Sequence, residues 1–90
     1  MVQRKVGHAQ HLKAVNHPIR REMLRIVYVE QSIQEKQLIN KLIKEKIIED
    51  TAIFNYHMDF LLQALCVEKI EQEEIVHYNI LPGGKVIENF

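Results

Sequence analysis

The sequence predicts an α+β fold, mainly α with a small β-hairpin. Apolar residues recur at three- and four-residue spacing through the first 65 positions. After Cys66 the spacing changes to alternation, and a second run is rich in β-branched and aromatic residues. Only Gln72, Glu73 and Glu74 separate these two late runs, a length that suits an antiparallel hairpin.

The elements follow in order. A first helix is expected over about 8–15, with Leu12 and Val15 on one face. Asn16-His17-Pro18 ends it, because a residue before proline is pushed out of helical geometry, and Pro18 suits the first turn of the next helix. That second helix carries Ile19, Met23, Leu24, Ile26 and Val27 as a broad apolar stripe and ends near Val29. Gln31 to Gln34 is a short connection in which Ile33 suits a brief strand pairing. A third helix from about Glu35 turns Leu38, Leu42 and Ile43 inward and Lys36, Lys41 and Lys44 outward. After a short turn, Asp50 or Thr51 caps a fourth helix over about 51–64, whose core face is Phe54, Met58, Leu61 and Leu65. The hairpin covers about 67–80; Pro82-Gly83-Gly84 breaks its second strand, and Lys85 to Phe90 suits a last short helix. A helix-turn-helix over about 35–65 followed by a hairpin is the winged helix-turn-helix arrangement.

With 90 residues and no repeat or Pro/Gly/Ser-rich linker, residues 1–90 read as one domain. Apolar runs are far shorter than the roughly 20 residues that span a bilayer, so no membrane association is expected. No apolar stretch follows Met1-Val2-Gln3-Arg4-Lys5, so no signal peptide is expected, and the single cysteine suits a reducing cytoplasm. Net charge is zero, from 12 basic and 12 acidic residues. The sum conceals an asymmetry: residues 1–46 carry ten basic and four acidic side chains, residues 47–90 two and eight. Such asymmetry marks an interaction surface or a head-to-tail self-contact.

Three segments resemble a known family. Leu12-Lys13-Ala14-Val15-Asn16-His17-Pro18-Ile19-Arg20-Arg21-Glu22-Met23-Leu24 is similar to the opening of the arsenic-repressor-like (ArsR-like) winged-helix regulators, with their His-Pro-x-Arg turn. Asn55-Tyr56-His57-Met58-Asp59-Phe60-Leu61 through Ala64-Leu65-Cys66-Val67 resembles the family's recognition helix, and Tyr78-Asn79-Ile80-Leu81-Pro82-Gly83-Gly84 its turn after the wing. The resemblance spans about residues 8–88 and implies a cytoplasmic, homodimeric, sequence-specific regulator of transcription bound to double-stranded DNA. Its fourth helix would enter the major groove, with the wing along the backbone. On that basis the DNA-contacting candidates are Arg20, Arg21, Lys36 and Lys44 for phosphates, Thr51 at the helix start, and Ala52, Asn55 and Tyr56 toward the bases. Leu12, Val86, Ile87 and Phe90 are the expected dimer contacts.

Departures from the pattern carry a second function class. Asp59 stands where relatives commonly have a basic residue, and the wing carries Glu68, Glu71, Glu73 and Glu74. Negative charge beside phosphates lowers affinity. The alternative is therefore a winged-helix protein–protein module with little DNA affinity, whose partner is a basic protein surface. The Glu-rich wing reads equally as a soluble hairpin tip. Leu65 replaces a glycine after the fourth helix, so that turn needs another geometry or tolerates strain. The family's metal-sensing Cys-Val-Cys is absent; Gln37-Leu38-Ile39-Asn40 stands there, which excludes metal sensing by that site.

Other reactive residues read more plainly. His8 and His11 lie one helical turn apart, but two ligands without an acidic or Cys partner do not make a metal site. His57 flanks Leu61 and reads as a packing histidine before a DNA contact, and His77 as a cross-strand surface residue. Cys66, between Leu65 and Val67, reads as a small buried hydrophobe before a redox or catalytic thiol. Leu62, on the polar side of the fourth helix, is a candidate for an interface. Without a Gly-rich phosphate loop, a paired-carboxylate constellation or a Ser/His/Asp set on one face, neither an enzyme nor a cofactor is expected.

Overall fold

The computed structural model describes residues 7–89, with side chains through Lys85. Its elements are α1 (His8–Val15), α2 (Pro18–Glu30), β1 (Ser32–Gln34), α3 (Glu35–Lys44), α4 (Thr51–Gln63), β2 (Val67–Gln72), β3 (Ile75–Ile80) and a closing 3-10 segment, Pro82–Asn89. The three strands are antiparallel in the order β1-β3-β2. The α+β winged helix-turn-helix arrangement is thus the one observed.

α2 is the central helix, packed against α1, α3, α4, the sheet and the closing segment. Its stripe supplies Met23, Leu24, Ile26 and Val27 to the core, where they meet Leu38 and Leu42 of α3 and Phe54, Met58 and Leu61 of α4. Each such side chain contributes roughly 1.5–3 kcal/mol on burial. Val67 and Tyr78 close the core from the sheet, and Cys66 lies fully buried beside them. Leu62 packs partly against this core rather than standing free on an outer face.

Ile43 departs from the expected inward set, with 41% of its surface exposed. α3 ends there in a Schellman closure: the Ile47 amide donates to Leu42 O and the Lys46 amide to Ile43 O, with Lys46 at φ 61°. That turn carries Ile48 back into the core, where it is buried, and Ile39 packs partly against the same core. α4 ends in the same way. Cys66 donates to Leu61 O and Leu65 to Leu62 O, while Leu65 adopts φ 55°. Leucine thus accepts the left-handed geometry expected of a glycine, at a cost of roughly 1–2 kcal/mol, offset by the buried Cys66–Leu61 pair at the closure.

The hairpin is tighter than its sequence suggests. Gln72 pairs with Ile75, so the turn is Glu73-Glu74 alone, with φ 53° and 68°. Two-residue turns of this kind require positive φ at both positions and favour Asn-Gly. Downstream, the closing segment lies so near the start of β2 that a Cβ at Gly84 would overlap the Cys66 carbonyl oxygen.

Candidate nucleic-acid interface

The α1–α2 turn sets the platform beneath α4. A helix leaves its last four carbonyls without intrahelical partners. Here Leu12 O accepts from the Asn16 amide, Lys13 O and Ala14 O from Arg20 Nη2 and Nε at 2.9 Å each, and Val15 O from Arg21 Nε at 3.2 Å. Arg21 Nη2 also donates to Asn16 Oδ1 at 3.0 Å. Pro18 opens α2, and His17 caps it by accepting the Ile19 amide on Nδ1 at 3.2 Å. The His-Pro-x-Arg sequence thereby forms a corner that satisfies the exposed carbonyls at the end of α1 and the first amides of α2.

Arg20 therefore departs from its expected place as a surface phosphate contact. It is 5% exposed, because two carbonyls and His57 Nδ1, 3.0 Å from its Nη1, hold the guanidinium inside. The Phe60 ring covers it, 4.1 Å from Cζ to the centroid. Arg21 is exposed, but its guanidinium is engaged by the corner. Helical periodicity carried this signal, since Arg20 falls on the same face as Met23, Leu24 and Val27.

α4 begins at Asp50, whose carboxylate accepts the Ile53 amide at 3.0 Å, and Thr51 is its first helical residue. Phe54, His57, Met58 and Leu61 turn inward. That leaves Thr51, Ala52, Asn55, Tyr56 and Asp59 exposed on one outer face. The Asn55 amide makes no hydrogen bond within the described residues, whereas Asp59 Oδ2 accepts from Gln63 Nε2 at 2.7 Å. Tyr56 is 62% exposed, yet its ring is held edge-on by His57 and Phe60, at centroid distances of 5.0 and 5.3 Å. On α3, Lys36 and Lys44 are exposed.

Burial orders the titration of the groups under α4. His57 has its pKa lowered by desolvation and then by the neighbouring His17 and Arg20. His17, whose ring centroid lies 4.5 Å from that of His57, is lowered by desolvation and by Arg20. Both imidazoles are therefore kept neutral. Cys66 is pushed up to about 11 by burial, which keeps it a thiol and fits its role as a small hydrophobe.

Of the expected dimer contacts, Leu12 is 39% exposed on α1. Phe90 and the side chains of Val86 and Ile87 lie outside the described residues. His11 Nε2 lies 2.8 Å from Gly83 O, so this ring joins α1 to the closing segment. No helix among the described residues is long and apolar enough to cross a membrane.

No family model matches the chain, and no curated protein sequence matches it either. Among solved structures, the crystal structure of an ArsR family transcriptional regulator is similar, with a TM-score of 0.64 at 16% identity over 94% of this chain and 86% of that one. The likeness lies in the fold: the chain is a winged helix-turn-helix protein whose architecture is shared with that regulator.

Proposed function

We propose that the chain is a sequence-specific double-stranded DNA-binding regulator of transcription, non-enzymatic, acting in the cytoplasm as a homodimer. The observation that carries this reading is the outer face of α4, where Thr51, Ala52, Asn55 and Tyr56 stand together and exposed; Lys36 and Lys44 of the preceding helix are exposed as well. The major groove admits an α-helix, and side chains on its leading turns reach base edges. Asn55, with a free amide, suits the paired donor and acceptor of adenine; Tyr56 suits a phosphate or a thymine methyl. Lys36 and Lys44 neutralise phosphates, and the β2–β3 hairpin lies along the backbone. Arg20 has no place in this set. Leu12, with Val86, Ile87 and Phe90, forms the dimer contact, and two-fold symmetry demands a near-palindromic site with half-sites about one DNA turn apart.

Selection of binding sites from a randomised duplex pool tests the assignment. Asn55→Ala is expected to relax the preferred sequence at one position per half-site, while Lys36→Ala and Lys44→Ala weaken binding evenly across sequences. An unchanged preference in Asn55→Ala would remove α4 as the reading element.

One observation favours a second reading. Asp59, Glu68, Glu71, Glu73 and Glu74 are all exposed, which suits a basic protein surface better than a phosphate backbone. A chain that binds no duplex but retains a basic protein partner would be this interaction module.

A further inference from the structure

The corner between α1 and α2 is joined to the middle of α4 by one side-chain bond, Arg20 Nη1 to His57 Nδ1 at 3.0 Å. A guanidinium only donates, so His57 Nδ1 is the acceptor and the ring carries its proton on Nε2. The same guanidinium holds Lys13 O and Ala14 O, so three helices meet on a single buried group. We propose that His57 positions α4 for DNA through this bond, and that a proton bound at its Nδ1 releases the helix and weakens DNA binding. The proposal rests on the DNA-binding reading above.

Protonated His57 sets N–H against N–H and places two positive charges 3.0 Å apart in a site with little water. The surroundings offer no compensation. From the corner, His17 lies tilted to the ring with centroids 4.5 Å apart; from α2, Arg20 bonds the ring, while Arg21 is engaged by Val15 O and Asn16 and Glu22 pairs with Arg25 on the exposed side. α1 carries His8, His11 and Lys13, of which Lys13 lies over the Phe60 ring and His11 is bound to Gly83 O. β2, also packed on α4, carries Glu68, Lys69 and Glu71 on its exposed surface. On α4 itself Tyr56 touches the ring edge-on, and the one carboxylate, Asp59, is engaged by Gln63. Among the described residues no carboxylate bonds to Arg20, His17 or His57. Proton uptake therefore displaces α4 from Arg20 instead of forming an ion pair, and it occurs below the usual histidine value of 6.5.

The test combines duplex affinity with a histidine titration. Fluorescence anisotropy on a selected duplex, at constant salt, is expected to show affinity falling about fivefold or more between roughly pH 7.5 and 5.5. His57→Asn places a non-titrating oxygen near the position of Nδ1 and is expected to bind like wild type at neutral pH without the acid decline. His17→Asn, which keeps a capping acceptor, is expected to retain the decline. NMR of the wild-type protein alone is expected to show α4 amide shifts following the His57 ring titration while circular dichroism stays native. A decline that persists in His57→Asn or vanishes in His17→Asn overturns the proposal, as do α4 amides that ignore the His57 titration or global unfolding over this range. If wild type binds no duplex at any pH the DNA reading fails instead, and the NMR titration still decides whether the Arg20–His57 bond positions α4.

Discussion

The Tyr78 hydroxyl donates to Glu35 Oε2 at 2.6 Å, tying the middle of β3 to the first turn of α3. Tyr78 also packs edge-to-face on Phe54 of α4, with ring centroids 6.0 Å apart. One side chain thus references the hairpin to both helices of the helix-turn-helix, and its burial on the core side fixes the register Ile33↔Tyr78↔Lys69 across the sheet. A one-residue slip would turn this ring to solvent.

Removing only the hydroxyl, in Tyr78→Phe, leaves the half-buried Glu35 without its donor. Chemical denaturation is expected to show a loss of about 1–3 kcal/mol. The phenol is also held protonated, its pKa raised by burial and by the bond to Glu35. The unfolded chain loses that proton near the ordinary value of 10.0 while the folded chain keeps it. Stability contributed by Tyr78 is therefore complete below pH 10 and declines as pH rises above it. In Tyr78→Phe that alkaline decline should be smaller.

On the acid side the sign is opposite. His17 and His57 have folded pKa values below the ordinary 6.5, so the unfolded chain binds more protons as pH falls. Their contribution to stability is complete above 6.5 and is lost as pH drops from there through the folded values. Urea midpoints measured from neutral to mildly acid pH should fall in wild type and fall less in a His17→Asn, His57→Asn double variant.

Arg20→Ala is expected to cost about 3 kcal/mol or more, since three acceptors, two of them α1 carbonyls, lose their donor. Lys36→Ala and Lys44→Ala, both at exposed positions, should leave stability within about 0.5 kcal/mol. Thermal unfolding of the three variants separates the internal cation from the surface ones.

Lys46 and Glu74 are among the residues ill-suited to their backbone. Lys46 at φ 61° and Glu74 at φ 68° both occupy the left-handed region and are exposed. Lys46→Gly and Glu74→Gly should each raise stability by about 1 kcal/mol, in contrast to glycine placed within a helix. Gly84→Ala should do the reverse, because its new methyl meets the Cys66 carbonyl.

Much of this arrangement was legible in the residues. The 4-3-4 spacing of Phe54, Met58, Leu61 and Leu65 located α4, although Leu65 falls just past its end as the left-handed residue of the closure. The change of period after Cys66 located the hairpin, and Asn16-His17-Pro18 the corner. Arg20 and Ile43 misled for opposite reasons. A charged residue reads as surface until its acceptors are known, and here they are two nearby main-chain carbonyls of α1 and the ring of His57, distant in sequence on α4. Ile43 reads as core, yet the chain leaves α3 through the Schellman turn with Ile43 exposed and Ile48 buried beyond it. The exposed face of α4 was legible as the complement of its core face, since solvent positions follow once the inward ones are known.

The most direct test of DNA recognition by this fold is fluorescence anisotropy of a labelled duplex titrated with protein at about 50 and 200 mM salt. A dimer that places four lysines, Lys36 and Lys44 from each protomer, on phosphates is expected to lose about a hundredfold in affinity between the two conditions. Binding that ignores salt, or no binding up to about 100 µM at the lower salt, would contradict it.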